Sequence, residues 1–274
     1  MKIGKYLELY TEDLRFKNYA QNTIENYVCQ VDLFLRYFGG KFTKPSEINE
    51  TAIKEWLMQA KTINSRKHRI SAVKLFYIHT IKQPLKFKHI SYPRGEQHLP
   101  QPLSSVEVKA LFDVCDNKKH KAILGLLFMC GMRIGEVIKL KPEHIDRANM
   151  VIHVKQAKGM KDRIVPMNDY LLKMLEDYYR AYRPIEYMFN GQFSNQYSDR
   201  SVNQFIKDLG AKASIKKRLH AHLGRHSCFS QMLANGVDMA VIQRIAGHAS
   251  QKTTSIYAKV TSQVIRNTIP YQFA

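Results

Sequence analysis

The chain has 274 residues, enough for one large domain or two modest ones with a real core. Lys and Arg number 43 against 23 Asp and Glu, a formal charge of +20, and the 45% hydrophobic and 11% aromatic content argues against a disordered tail protein. No apolar run approaches the roughly 18 residues of a membrane span, MKIGKYLELYTEDLR does not read as an export signal, and Cys29, Cys115, Cys130 and Cys228 lie too far apart for a zinc site or disulfide framework, so a reducing cytoplasm is expected.

The first ninety residues read as helical. One helix is expected around Tyr6–Leu14. Asn22 and Glu25 have the spacing of a capping box, just before a stripe of Ile24, Tyr27, Val28, Val31, Phe34, Leu35 and Phe38 at intervals of three and four. Gly39 and Gly40 stop that helix. Two more are expected over Thr51–Ala60 and Ser65–Thr80. The latter turns Ile70, Val73, Phe76 and Tyr77 inward and carries Arg66, Lys67, Arg69 and Lys74 around them. That basic face is either simply solvated or grips DNA. Residues 83–103 hold four prolines and no helical period, so they read as extended connection. The boundaries drawn are 1–90 for a first domain, 91–103 for a linker and 104–274 for a second domain.

The second domain opens on a capping box, Ser104 with Glu107. An apolar helix carrying Ile123, Leu126, Leu127 and Cys130 ends at Gly131, and Arg133 follows at once with Glu136 three residues on. A rigid element thus positions a planar guanidinium, which suits phosphate; taken alone, a surface Arg–Glu pair is the plainer reading. Strands are expected at Met150–Val154 and Arg163–Met167, joined by a turn around AKGMKD that bears Lys158 and Lys161. A lysine at a hairpin tip can deliver a proton in a DNA groove, although hairpin tips are rich in lysine anyway. Helices follow near Asp169–Tyr182, Ser201–Ala213, Ala221–Ala234, Asp238–Ala246 and Lys252–Lys259. His222 and Arg225, in HAHLGRH, stand at i and i+3 on one helix face. His248 follows a glycine at a helix end, and Tyr257 comes nine residues later, after Thr253 and Thr254.

Each of these groups is weak alone; together they match phosphoryl transfer at a DNA phosphodiester without metal or other cofactor. Tyr257 supplies a nucleophilic oxygen. Arg133 and Arg225 neutralise the non-bridging oxygens of the transition state, the role Mg²⁺ has elsewhere. His222 and His248 donate hydrogen bonds to the phosphate or move the tyrosine proton, and Lys158 protonates the leaving 5′ oxygen. The charge agrees, with +9 on residues 1–95 and +11 on the remainder, a spread suited to gripping a duplex over much of the surface.

The motifs GMRIGEV, KGMKDRIVP, HLGRH and AGHASQKTTSIYAKV, in that order, resemble the tyrosine recombinase family, also called the phage-integrase or Xer-type family, over nearly the whole chain. The resemblance implies a mainly α fold with a small β-hairpin or sheet, a two-domain C-shaped clamp, in which a helical, SAM-like core-binding domain precedes the catalytic domain. It puts the family's functional positions at Arg133, Lys158, His222, Arg225, His248 and Tyr257, with Glu136 in support, and the basic residues Arg66, Lys67, Arg69, Lys74 and Lys161 are the DNA contacts expected beside them. It implies a 3′-phosphotyrosyl intermediate in site-specific recombination, either integration and excision of a mobile element or resolution of chromosome dimers. The partners it implies are a double-stranded recombination site and a homotetramer on paired sites, with or without a second recombinase or accessory factor. The implied location is the cytoplasm, at the nucleoid. A docking role in trans is expected for the apolar segment after Tyr257, with Val264, Ile265 and Ile269. One departure is Gly224, where the family more often has leucine. The alternatives are a topoisomerase IB-like nicking-closing enzyme and a non-catalytic architectural DNA-binding protein.

Overall fold

The computed structural model describes residues 1–95, 101–155 and 162–247. Lys158, Lys161, His248, Tyr257, the expected helix Lys252–Lys259 and the segment beyond it lie outside the described residues. The chain divides into two compact units, Met1–Gln97 and His98–Ala274.

The described residues of the first unit pack the α-helices α1 (Ile3–Phe16), α2 (Gln21–Phe38), α3 (Glu50–Met58) and α4 (Ile63–His79). The expected stripe of α2 is its core face, with Val31, Phe34 and Leu35 fully buried against Tyr10, Leu14, Phe76 and Tyr77. The two buried tyrosines keep their hydroxyls satisfied: Tyr10 donates to the Ala72 carbonyl at 2.8 Å and Tyr77 to the Pro45 carbonyl at 2.7 Å. Asn49 and Thr62 cap α3 and α4 through their side chains. The start of α2 differs from expectation. The helix begins one residue before Asn22, on Ala20 with no side-chain cap, and Asn22 Oδ1 accepts instead from Asn26 Nδ2 at 3.2 Å, while Glu25 takes Gln21 Nε2 at 2.8 Å. Side chains one turn apart on the helix surface compete with the capping geometry, and here they win.

The second unit holds α5 (Ser105–Asp113), α6 (Lys118–Phe128), α7 (Ile134–Ile138), α8 (Asp169–Tyr182), α9 (Asp199–Lys212), α10 (Ala221–Ala234) and α11 (Met239–Ala246). Among the described residues its strands are β1 (Ile145–Asp146), β2 (Val151–Val154) and β3 (Arg163–Pro166), an antiparallel sheet in chain order. The β2–β3 pair is the expected hairpin, in the register Ile152↔Val165 and Val154↔Arg163. The two-residue β1 adds an edge that so short a run did not announce. The Ser104–Glu107 box forms reciprocally, at 2.7 and 3.2 Å.

Helix α6 is the centre of this unit, with every residue from Ala122 to Phe128 buried, so it is apolar all round and its neighbours define its faces. Gly125 lets α8 approach, since a Cβ there would lie 2.6 Å from Leu171 Cδ1. Gly224 does the same for α10: a Cβ would meet the Phe128 ring at 3.0 Å and Leu127 Cβ at 3.2 Å. Gly224 is therefore a packing device, in which Phe128 fills the space a larger side chain would take. No helix among the described residues is long and apolar enough to cross a membrane.

Candidate active site

The α6–α7 connection, β3, α10 and the end of α11 meet around one buried carboxylate. Glu136 stands at the third position of α7, where its Oε2 accepts the Arg133 backbone N–H at 2.8 Å and closes the helix start. The same carboxylate takes Arg163 in a two-pronged pair, Nη1 to Oε1 at 2.7 Å and Nη2 to Oε2 at 2.6 Å, and also Arg133 Nη1 at 2.9 Å. The Glu136 and Arg163 side chains are 9% and 6% exposed, so this is an ion pair inside the protein rather than on its surface. Burial raises the Glu136 carboxyl pKa, but the hydrogen bonds and charge of Arg163, then of Arg133, outweigh it and hold the group below the ordinary carboxylate range.

Among the described residues Arg225 is the largest fully buried side chain, at 1% exposure. Its Nη1 donates to the Gly131 carbonyl at 2.6 Å, its Nη2 donates to the Ala246 carbonyl, and its guanidinium lies over the Phe229 ring, 4.7 Å from the centroid. Gly131 can present that carbonyl because it takes φ +59°, and because it has no Cβ, which would sit 2.6 Å from Phe229 Cζ. Arg133 and Arg225, both expected at the site, thus meet at the turn that ends α6, Arg133 as part of the chain that follows it and Arg225 through the Gly131 carbonyl.

His222, one turn before Arg225 on α10, is exposed, and its ring packs edge-on against His226 with centroids 4.6 Å apart. The part of the ring turned into the protein is desolvated, which lowers its pKa, and Arg225, His220 and Arg133 add to the effect, so the neutral imidazole is favoured. The neighbouring His220 caps α10, its Nδ1 accepting from the Leu223 N–H at 3.1 Å. A cavity of about 400 Å³ opens beside these groups, lined by Arg133, Lys139, His144, His153, Lys155 and His222 among others. Its one carboxylate, Glu136, is already held by two guanidiniums, so the cavity favours an anion. Among the described residues no three His, Cys, Asp or Glu side chains group where they could hold a metal ion.

The basic residues expected on the first unit lie on α4, half-buried: Arg66, Lys67, Arg69 and Lys74. They are not equivalent. Arg69 lies over the Trp56 ring, 4.6 Å from the centroid, and gives Nη1 to the Trp56 carbonyl at 3.2 Å, so it braces α3 against α4.

The sequence reading missed Arg163. The signal was available in the strand itself. Val165 is buried, so period-two alternation turns Arg163 inward and Ile164 outward, and Ile164 is indeed 56% exposed. A charge facing in and an isoleucine facing out inverts the usual polarity, which calls for a buried counter-charge. Along β2, Ile152 and Val154 are buried, and His153 lines the cavity together with Val154 and Lys155.

Residues 101–263 match the phage integrase family and residues 6–87 match the phage integrase N-terminal SAM-like domain. A protein of Sinorhizobium fredii named as an integrase/recombinase is 32% identical over 96% of this chain and 87% of its own length. Tyrosine recombinase XerC of Bacillus subtilis is 27% identical over 97% of this chain and 95% of its own. The fold is that of XerH site-specific recombinase, solved on its palindromic difH substrate after cleavage: TM-score 0.73, 20% identity, 91% of this chain and 80% of that one.

Proposed function

This chain belongs to the phage integrase family and is a tyrosine recombinase that carries out site-specific recombination; from that premise we propose which of its residues perform the chemistry and how. Arg133 and Arg225 bind the non-bridging oxygens of the scissile phosphate. The Tyr257 oxygen attacks phosphorus, forming a 3′-phosphotyrosine bond as the bond to the 5′ oxygen breaks. Tyr257 gives up its proton to the histidine pair His222 and His248, and Lys158 gives one to the departing 5′ oxygen. The reverse attack, by a 5′ hydroxyl of the partner strand, rejoins DNA and frees Tyr257. No net bond energy is lost, so no external energy source is needed.

The observation that carries this reading is the fixed pair of arginines. Arg133 is held by Glu136, and Arg225 by the Gly131 and Ala246 carbonyls, before any substrate arrives. Charge held in place costs no reorganisation when the phosphate becomes pentavalent, which is where electrostatic stabilisation contributes most. The lowered pKa of His222 favours the form that can donate one N–H or accept one proton.

The first domain, through Arg66, Lys67 and Lys74 with Arg69 bracing behind them, and the hairpin through Lys161, grip the duplex backbone. Binding then weakens steeply with salt. Four protomers assemble on two paired sites in the cytoplasm, at the nucleoid, with the segment after Tyr257 docking on a neighbour. A topoisomerase-like or purely architectural role is not favoured, since the relatives are recombinases over nearly full length. The test is covalent trapping. The protein is mixed, with EDTA present, with labelled nicked duplexes drawn from the DNA flanking its own gene. A detergent-resistant adduct bearing a free 5′ hydroxyl is expected, and Tyr257→Phe should abolish it while retaining DNA affinity. Tight, salt-sensitive binding with no adduct on any flanking duplex would overturn the reading.

A further inference from the structure

Three arginines from three separate elements converge on one helix end. Arg163, the first residue of β3, donates Nε to the Ile245 carbonyl at 2.8 Å. Arg225 of α10 donates to the next carbonyl, Ala246, and Arg133 at the start of α7 donates Nη2 to the one after, Gly247, at 3.3 Å. The last carbonyls of a helix have no partner within it and carry its partial negative charge, so cations are favoured there. Gly247 closes α11 in the left-handed region at φ +60°, and a Cβ on it would lie 2.9 Å from Arg163 Cδ. Lacking that atom, it lets the arginine run alongside the helix end. The next residue in sequence is His248.

Arg163 is the member that ties this cluster together. It holds both oxygens of Glu136, the carboxylate that fixes Arg133, and it also holds the end of α11. We infer that Arg163 is a positioning residue of the reaction centre: through Glu136 it sets the Arg133 guanidinium, and through Ile245 it sets the point from which the chain leaves α11 toward His248. The inference rests, for its activity readout, on the recombinase reading above. The job requires arginine. Three donors of one planar fork are used, two on the carboxylate and one on a carbonyl of a different element, and the side chain is 6% exposed. A lysine ammonium keeps the charge but cannot reach both partners in that geometry.

The experiment compares the full-length wild-type protein with Arg163→Lys and with the double variant Glu136→Gln/Arg163→Met, which removes both charges and leaves no unpaired carboxylate in the interior. Two quantities are read. Amide hydrogen exchange in the free protein is expected to speed up on the order of tenfold in α11 in both variants, while α6 stays at wild-type rates. On nicked duplexes from the flanking DNA, the single-turnover rate of adduct formation by Arg163→Lys is expected to fall roughly 100-fold while DNA affinity stays within about threefold. Wild-type exchange in α11 of both variants would overturn the inference, as would cleavage and affinity falling in equal proportion. Should the wild-type protein form no adduct, the recombinase chemistry fails, yet the exchange measurement still decides whether Arg163 holds α11.

Discussion

Gly131 is the position where one added methyl group tests the design of the site most directly. In Gly131→Ala two costs arise together. The residue sits at φ +59°, where an L side chain costs about 1–2 kcal/mol. The new Cβ would also stand 2.6, 2.8 and 3.2 Å from three atoms of the Phe229 ring. Phe229 is fully buried, with the Arg225 guanidinium over it, so its ring has nowhere to retreat. Overpacking of this kind costs about 1–3 kcal/mol. The sum, about 2–5 kcal/mol, corresponds to a melting-temperature loss of roughly 5–15 °C for a unit of this size. Circular dichroism against temperature measures it. The single tryptophan, Trp56, lies in the first unit, so its fluorescence reports separately that α2–α4 remain folded. Adding Phe229→Leu to Gly131→Ala should recover part of the loss, because it removes the collision and leaves the backbone cost. A melting temperature within 2 °C of wild type by these rules would mean that the turn adapts freely and that Gly131 is not what fixes the carbonyl under Arg225.

Two further predictions concern packing and pH. At Gly224, alanine should change stability by less than about 1 kcal/mol, since better helix propensity offsets a tight contact with Phe128, whereas Gly224→Leu should cost about 1–3 kcal/mol. Combining Gly224→Leu with Phe128→Ala should relieve much of that cost in thermal melts; no relief would mean that Phe128 is not the obstacle. Burial, then His222, His220 and Arg225, pull the His226 pKa down to about 4 from the ordinary value of 6.5. Between those values the unfolded chain binds a proton that the folded protein refuses, so stability rises with pH over the window and is lost on acidification. His226→Gln should flatten the dependence of melting temperature on pH between 4.5 and 6.5, and parallel curves for variant and wild type would refute the assignment.

Local rules carried the sequence a long way. The intervals in Ile24–Phe38 gave α2 its buried face because helix geometry alone decides which residues share a side. Ser104 with Glu107 marked the start of α5 because both halves of the box lie within one turn. Two short apolar runs on either side of a polar turn located β2 and β3. Asn22 failed as a cap because an equally local rival, Asn26 one turn on, took its side chain. The proposed site residues were picked out by type, since phosphate chemistry asks for arginine, histidine and a nucleophile whatever the fold.

What tertiary structure decided was which of those groups are held, and by what. Arg163 meets Glu136 across 27 residues and Ile245 across 82, and Arg225 meets Gly131 across 94. Separations of that length leave no periodic trace, so the sequence displays the arginines without their partners. The same holds for Gly224, which reads as a weak point in a helix until Phe128, far away in the chain, is seen to occupy the space beside it. Sequence determined the elements and the kinds of chemistry available, because propensity and side-chain charge act locally. Only the folded chain could bring three cations onto the end of α11 and bury one carboxylate among them, because that arrangement is stable only where burial removes water and the partners arrive together.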